Sequence, residues 1–244
     1  MNLIKGDCII ELKKLPDKSI DFFYLDLPYG QTACKWDIKL DHKALWVELR
    51  RLAKSERTPF FFSCTTKFGF ELYNSAPKGW FRWDLVWKKN RQAGFLNAYK
   101  LPMRKHEMIY CFAKKTPEYD VSSHKEYKEH NMIGQTHKLE TYGLGGNKRI
   151  SNNKRYKDRL PTSDITPSSW CEIKNEEGIN HRTAKPVKLM EFLLKYWTKE
   201  GDTICDPTAG SGSMGVACKN MNRKFIGIEK DDEIYNLMCS RINN

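Results

Sequence analysis

Apolar residues along the chain fall into short continuous runs separated by stretches with helical spacing. Ile20–Leu25, Pro59–Ser63, Trp80–Trp87, Glu107–Phe112, Ser169–Ile173, Thr203–Cys205 and Phe225–Ile228 are short, rich in aromatic and β-branched residues, and bounded by turn residues, so they predict strands. Between them, Ile9, Leu12 and Leu15 repeat at helical spacing, as do Leu45, Trp46, Leu49 and Leu52, then Val187, Met190, Leu194 and Trp197, then Ile234, Leu237, Met238 and Ile242. Asp7 and Asp41 stand where an N-cap carboxylate can accept free first-turn N–H groups, and Pro186 suits a first helical turn. Phe68 to Ser75 and the stretch after Gly215 through Met221 also predict helices, whereas Lys88-Lys89-Asn90-Arg91 reads as a basic, polar loop. Strands alternating with helices predict an α/β fold, its sheet mostly parallel with helices on both faces.

From Lys114 to about Thr166 the pattern stops. Aliphatic residues thin out, and Lys, Arg, His, Asn and Tyr take over, with basic stretches at Asn147-Lys148-Arg149 and Asn152–Lys157. Such a composition buries little core. Its charge and interleaved aromatics predict an insert that contacts nucleic acid. Three segments follow: 1–113, an inserted 114–168, and 169–244. The 244 residues carry a formal net charge of +12, which points to a polyanionic partner. The eight cysteines are scattered with no C-x-x-C pair, and His106, His124, His130 and His137 lack ligand spacing, so no metal is expected. Cys111 and Cys205 lie in apolar strand-like runs and read as buried thiols. Unpaired cysteines, no signal-like start and no run near the ~20 apolar residues of a membrane span predict a cytoplasmic protein away from membranes.

Two loops carry candidate chemistry. The strand Ile20–Leu25 ends in Asp26-Leu27-Pro28-Tyr29-Gly30, a carboxylate and an aromatic ring at the end of a strand where α/β sheets bind ligands. An acceptor beside a stacking ring suits a flat, amine-bearing substrate. The strand ending at Cys205 runs into Asp206-Pro-Thr208-Ala-Gly210-Ser211-Gly212, a tight turn that lets backbone approach a ligand. It is neither a dinucleotide fingerprint nor a phosphate loop, and its leading carboxylate suits a cationic ligand better than pyrophosphate. Glu229 ends the next strand, about 20 residues on, where an acid can hold ribose hydroxyls. No nucleophile elbow and no clustered carboxylates for a two-metal site appear.

Together these stretches resemble the amino-group DNA methyltransferases, the S-adenosylmethionine-dependent family with an Asp-Pro-Pro-Tyr loop. Gly6-Asp7, Asp26–Tyr29, His181-Arg-Thr183-Ala-Lys185-Pro186 and Asp206–Gly212 carry the match, with Lys105–Phe112 similar to a family strand. The catalytic loop precedes the cofactor loop, as in the family's β group. The resemblance implies a Rossmann-like, seven-stranded, mostly parallel sheet with one antiparallel strand, the two loops on adjacent strands, and residues 114–168 as target-recognition region. It implies that Asp26, Leu27, Pro28 and Tyr29 are catalytic: Asp26 and the Leu27 carbonyl hold the amine near the sulfonium methyl, and Tyr29 stacks on a flipped-out base. It implies cofactor contacts from Asp7 (adenine amine), Glu229 (ribose), Asp26 (beside the sulfonium methyl), Asp206, Thr208, Gly210, Ser211 and Gly212 (the glycine loop and methionine portion), and Thr183 and Lys185 (the carboxylate end). Lys88, Lys89, Arg91, Lys148, Arg149, Lys154 and Arg155 are the expected contacts to double-stranded DNA. Family members of this motif order often dimerise, so a homodimer is one expectation, as is a role in restriction-modification. Adenine N6 is the expected target. Cytosine N4 is the alternative, and a non-catalytic nucleic-acid-binding protein a further one. Two departures stand out: Leu27 replaces the first proline, and His181-Arg-Thr-Ala-Lys-Pro differs from the commoner His-Pro-Thr-Gln-Lys-Pro.

Overall fold

Both halves of the chain contribute to one twisted sheet. The computed structural model describes residues 1–30, 37–120, 169–176 and 184–243. Among them, strands β1 (Asn2–Lys5), β2 (Phe22–Leu25), β3 (Phe60–Cys64), β4 (Phe81–Ala93), β5 (Arg104–Phe112), β6 (Trp170–Glu172), β7 (Thr203–Asp206) and β8 (Lys224–Glu229) lie in the order β1-β8-β7-β2-β3-β5-β4-β6. Only β5 runs against the rest, pairing antiparallel with β3 and β4. The expected single antiparallel strand is therefore present, but eight strands replace seven, because β6 adds in parallel to the outer edge of β4.

Period-two alternation divides the core. In β2, Phe22 and Tyr24 face one cluster, while Phe23 and Leu25 face the other. The first cluster is covered by α4 (Val187–Trp197), α5 (Ser213–Asn220) and α6 (Asp232–Asn243). The second is covered by α1 (Cys8–Leu12), α2 (His42–Leu52) and α3 (Thr66–Ser75). With both faces covered, central strands read as continuous apolar runs. The rings of Phe22 and Phe61 stack at 5.2 Å on one face, and those of Phe23 and Phe60 at 5.0 Å on the other. Cys111 and Cys205 are buried thiols, pushed upward in pKa by burial.

Helix starts follow the caps. Asp7 accepts from Ile9 N and Ile10 N, Asp41 from Lys43 N and Ala44 N, and Thr65 from Phe68 N. One element departs from the sequence pattern. Lys88–Arg91 is not a loop but the continuation of β4, paired Lys88↔His106 and Ala93↔Arg104. A two-stranded ribbon that leaves the core buries neither face, so no alternation marks it. No helix among the described residues is long and apolar enough to cross a membrane.

Candidate active site

Four neighbouring parallel strands, β1, β8, β7 and β2, each end beside a carboxylate: Asp7, Glu229, Asp206 and Asp26. The carboxyl ends of such strands are where open α/β sheets bind ligands. β2 and β7 pair directly, Phe22↔Ile204 and Phe23↔Cys205, so Asp26 and the glycine loop sit side by side despite their separation in sequence. Thr208 Oγ1 donates to the Asp26 carbonyl at 3.3 Å and ties the two loops together. Between them opens a cleft of about 320 Å³ whose lining includes Tyr24, Asp26, Lys185, Asp206, Thr208 and Gly210.

Asp26 is held from two sides. Lys185 Nζ donates to its Oδ2. The Tyr29 hydroxyl hydrogen is shared between Asp26 Oδ1 at 3.0 Å and the Ser63 carbonyl at 3.3 Å. The Tyr29 ring packs on Phe68, centroids 4.7 Å apart. Leu27, which stands where a proline is expected, is buried in the second cluster and anchors the loop by packing. Beyond the loop, Asp37 accepts from Gly30 N at 2.7 Å.

Behind Lys185 stands Glu107, a β5 residue that sequence reasoning did not single out. Its Oε2 is 3.5 Å from Lys185 Nζ, an ion pair without hydrogen-bond geometry, and its Oε1 accepts from Lys89. Burial alone would lower the Lys185 pKa, but the Asp26 and Glu107 carboxylates outweigh it and hold the ammonium well above its ordinary value. Burial pushes Glu107 up, yet Lys185 and Lys89 hold it below the usual carboxylate range. One expectation changes as a result. Lys89 is spent on Glu107 inside the protein, with 16% of its side chain exposed, and is not a surface contact for DNA. Lys185, expected at the carboxylate end of the cofactor, is bonded to Asp26.

The glycine loop is braced by its acids. Gly210 (φ +53°) and Gly212 (φ +80°) take left-handed backbone, and a Cβ on Gly212 would lie 2.8 Å from Met238 Cγ. Gly210 N donates to Glu229 Oε2 at 2.9 Å, while Glu229 Oε1 accepts from Lys230 N and Asp231 N. Gly6 N donates to the Glu229 carbonyl, which brings Asp7 to the same corner. Asp7 keeps its Oδ2 3.4 Å from Lys230 Nζ while its Oδ1 caps α1. Asp206 Oδ1 accepts from Thr208 N at 3.1 Å. Burial, then the Asp26 and Glu229 charges, raise the Asp206 pKa well above the ordinary carboxylate value. The Ser211 hydroxyl is engaged elsewhere, accepting from Arg241 Nη1 at 2.8 Å, and Arg241 Nη2 donates to Glu176 at 3.0 Å. Arg241 and Glu176 escaped the sequence because a loop brace leaves no motif.

Of the other expected residues, Lys88 donates to Glu172 Oε2 at 3.0 Å and lies over the Trp170 ring, and Arg91 is exposed on β4. Thr183, Lys148, Arg149, Lys154 and Arg155 lie outside the described residues. No group of His, Cys, Asp and Glu among the described residues could hold a metal ion.

The strand order, the lone antiparallel strand and the paired loops define a Rossmann-like methyltransferase fold. A DNA methylase family model matches residues 20–240, and the chain belongs to that family of amino-group (N6/N4) DNA methyltransferases. The chain is similar to the type II methyltransferase M.HinfI of Haemophilus influenzae, 25% identical over 267 residues that cover 98% of this chain and 67% of that one. Among solved structures it resembles the M1.HpyAVI–SAM complex, with a TM-score of 0.64, 20% identity, and 98% of each chain covered. It also resembles the PvuII DNA methyltransferase, described as cytosine-N4-specific, with a TM-score of 0.67, 16% identity, and 97% of this chain and 84% of that one covered. At these identities the structural likenesses speak for the fold.

Proposed function

We propose that this chain transfers the methyl group of S-adenosylmethionine to N6 of an adenine flipped out of double-stranded DNA. The observation that carries the reading is the placement of Asp26 directly beside the Asp206–Gly212 loop on paired strands. The cleft suits the cofactor. Asp206 is a buried carboxyl whose ionisation is opposed by burial, and a bound ammonium would offset that cost. Asp7 and Glu229 stand at the far end of the same edge, where an adenine amine and ribose hydroxyls need acceptors. A structural relative, M1.HpyAVI, was solved with S-adenosylmethionine.

S-adenosylmethionine supplies the methyl as a sulfonium electrophile. The chain's own residues prepare the nucleophile. The lone pair of an exocyclic amine is conjugated with its ring and attacks poorly. Asp26 accepts one N–H and the Leu27 carbonyl the other, drawing the nitrogen toward tetrahedral geometry and freeing the lone pair. A carboxylate offers about four acceptor sites, so Asp26 can serve Lys185, Tyr29 and the amine together. As the nitrogen gains the methyl, one N–H proton leaves. The protonated product is a strong acid, so Asp26 suffices as acceptor. Tyr29, braced by Phe68, presents its ring to the base. The chain spans 67% of M.HinfI, so the activity of a longer relative is not assumed for it.

Methylation mapping of DNA from cells expressing the protein tests the reading. Adenine-N6 marks at one recurrent sequence are expected, and Asp26→Ala should abolish them while retaining cofactor binding. Cytosine-N4 marks would move the target to the other amine, and RNA assayed in parallel would reveal a different polymer. Intact cofactor binding with no transfer to any nucleic acid would leave a non-catalytic binding protein.

A further inference from the structure

Beyond Lys88 and Met108 the β4–β5 hairpin leaves the sheet. β3 covers β5 only as far as Met108, and β6 covers β4 only as far as Lys88. The two strands continue as a ribbon, last paired at Ala93 and Arg104, to a tip that begins at Gly94 (φ +91°). β4 runs parallel to β2, so the ribbon projects from the edge that carries Asp26. Its stem is fixed there: Lys89 binds Glu107, Glu107 faces Lys185, and Lys185 binds Asp26. At about 3.3 Å per residue, Lys88 to Ala93 carries the tip about 17 Å past the sheet. A duplex major groove admits a two-stranded ribbon and is about 8.5 Å deep, so that reach is sufficient to meet the base stack.

Chemistry along the ribbon is graded. Lys88 and Lys89 at its base are paired with Glu172 and Glu107, while Arg91, Lys100 and Lys105 are exposed along it, and no acidic residue falls within residues 88–106. The tip is apolar yet in water: Phe95 is 72% exposed, Leu96 83%, Tyr99 fully and Leu101 63%. Large apolar side chains gathered on an exposed tip mark a contact surface. A basic stem below an aromatic tip matches phosphates lining a groove above flat bases.

We infer that the β4–β5 arm is a wedge, its stem held on phosphates and Phe95 and Tyr99 stacked into the gap left when the target base leaves the helix. The inference rests on the base-flipping reaction proposed above. Opening that gap costs unstacking and unpairing, and rings that fill it stabilise the open duplex. The need for a wedge falls when the target base is already unpaired.

The test compares the full-length protein with a Phe95→Ala/Tyr99→Ala double variant on two duplexes containing the mapped site. One is fully paired, and the other carries an abasic position opposite the target. Both substituted residues are exposed, and thermal melting checks that the fold is kept. On paired DNA the variant should lose roughly 10- to 100-fold in transfer rate, the scale of one or two lost stacking contacts. On the abasic duplex the loss should shrink to less than about 3-fold. Equal losses on both duplexes, or none on either, overturn the wedge while wild-type transfer leaves the proposed reaction standing. A wild-type protein inactive on both removes the reaction and the wedge with it. As a second reading, Lys100→Gln with Lys105→Gln should flatten the dependence of binding on salt, by about 0.9 in log–log slope for each lost phosphate contact. An unchanged slope counts against the stem's role.

Discussion

Lys185→Met removes the cation that joins Asp26 to Glu107, and the consequence can be worked from the geometry. Methionine roughly conserves the volume, so packing changes little. Asp26 loses the ammonium bonded to its Oδ2, and Glu107 loses one 3.5 Å away while keeping Lys89. Breaking a buried ion pair on one side costs about 3–5 kcal/mol, because the remaining charge stays uncompensated. The Asp26 side chain retains 24% exposure, which lets water recover part of that, so about 3 kcal/mol is expected. For a chain of this length that is a fall in Tm of about 6–12 °C. Adding Glu107→Gln should then cost little, since the carboxylate removed has already lost one partner. In the parent it strands part of two lysine charges. Urea denaturation of the four proteins gives the coupling between Lys185 and Glu107, expected at about 1–3 kcal/mol. The pH matters. Glu107 has a depressed folded pKa, so its contribution is present above the unfolded value near ~4.3 and is lost as pH falls through the folded one. Lys185 has a raised folded pKa, so its contribution is full below ~10.4 and is lost as pH rises through the folded value. At pH 7 the coupling should be complete. A Lys185→Met protein as stable as the parent, or a coupling under about 0.5 kcal/mol, refutes the linkage of Asp26 and Glu107 through Lys185.

Asp206 has a raised pKa in the folded protein, so a cationic ligand should draw it back to the carboxylate and expel a proton. Calorimetry of S-adenosylmethionine binding in buffers of different ionisation enthalpy should show proton release, with affinity rising with pH by up to about tenfold per unit below the Asp206 pKa. Asp206→Asn should abolish that release, and a wild-type heat independent of buffer refutes the linkage. Gly215→Ala would place a Cβ 2.8 Å from Phe225 Cε1 and against Ile242, so urea unfolding should show a loss of about 1–3 kcal/mol and a loosened glycine loop.

The apolar runs located β2, β3, β7 and β8 because both faces of those strands are covered, and Asp7 and Asp41 disclosed two helix starts through capping chemistry alone. Asp26 and Asp206 were legible as carboxylates ending apolar strands, and their pairing followed from the family resemblance. Lys88–Arg91 reads as a loop because a strand with two wet faces has no period to detect. Glu107 stayed hidden because a single acid in a strand normally points to solvent. Only the fold reveals Lys185 arriving from 78 positions away, although an isolated acid following Arg104-Lys105-His106 was a usable signal. Leu27 could not be interpreted from its neighbours, since its substitute for a proline ring is contact with residues elsewhere in the chain.

The site is made from opposite ends of the polypeptide. β1 has β8 as its neighbour, and Asp7 and Lys230 meet across 223 positions, while Asp26 and Lys185 meet across 159. Contacts so distant in sequence form slowly, since long loops must close before any of them is made. During synthesis, β2 and the Asp26 loop emerge early but have no β7 beside them. Gly210 has no brace until Glu229 leaves the ribosome. Catalytic competence therefore arrives all at once and late, and a nascent or truncated chain holds the reactive loop without the means to use it.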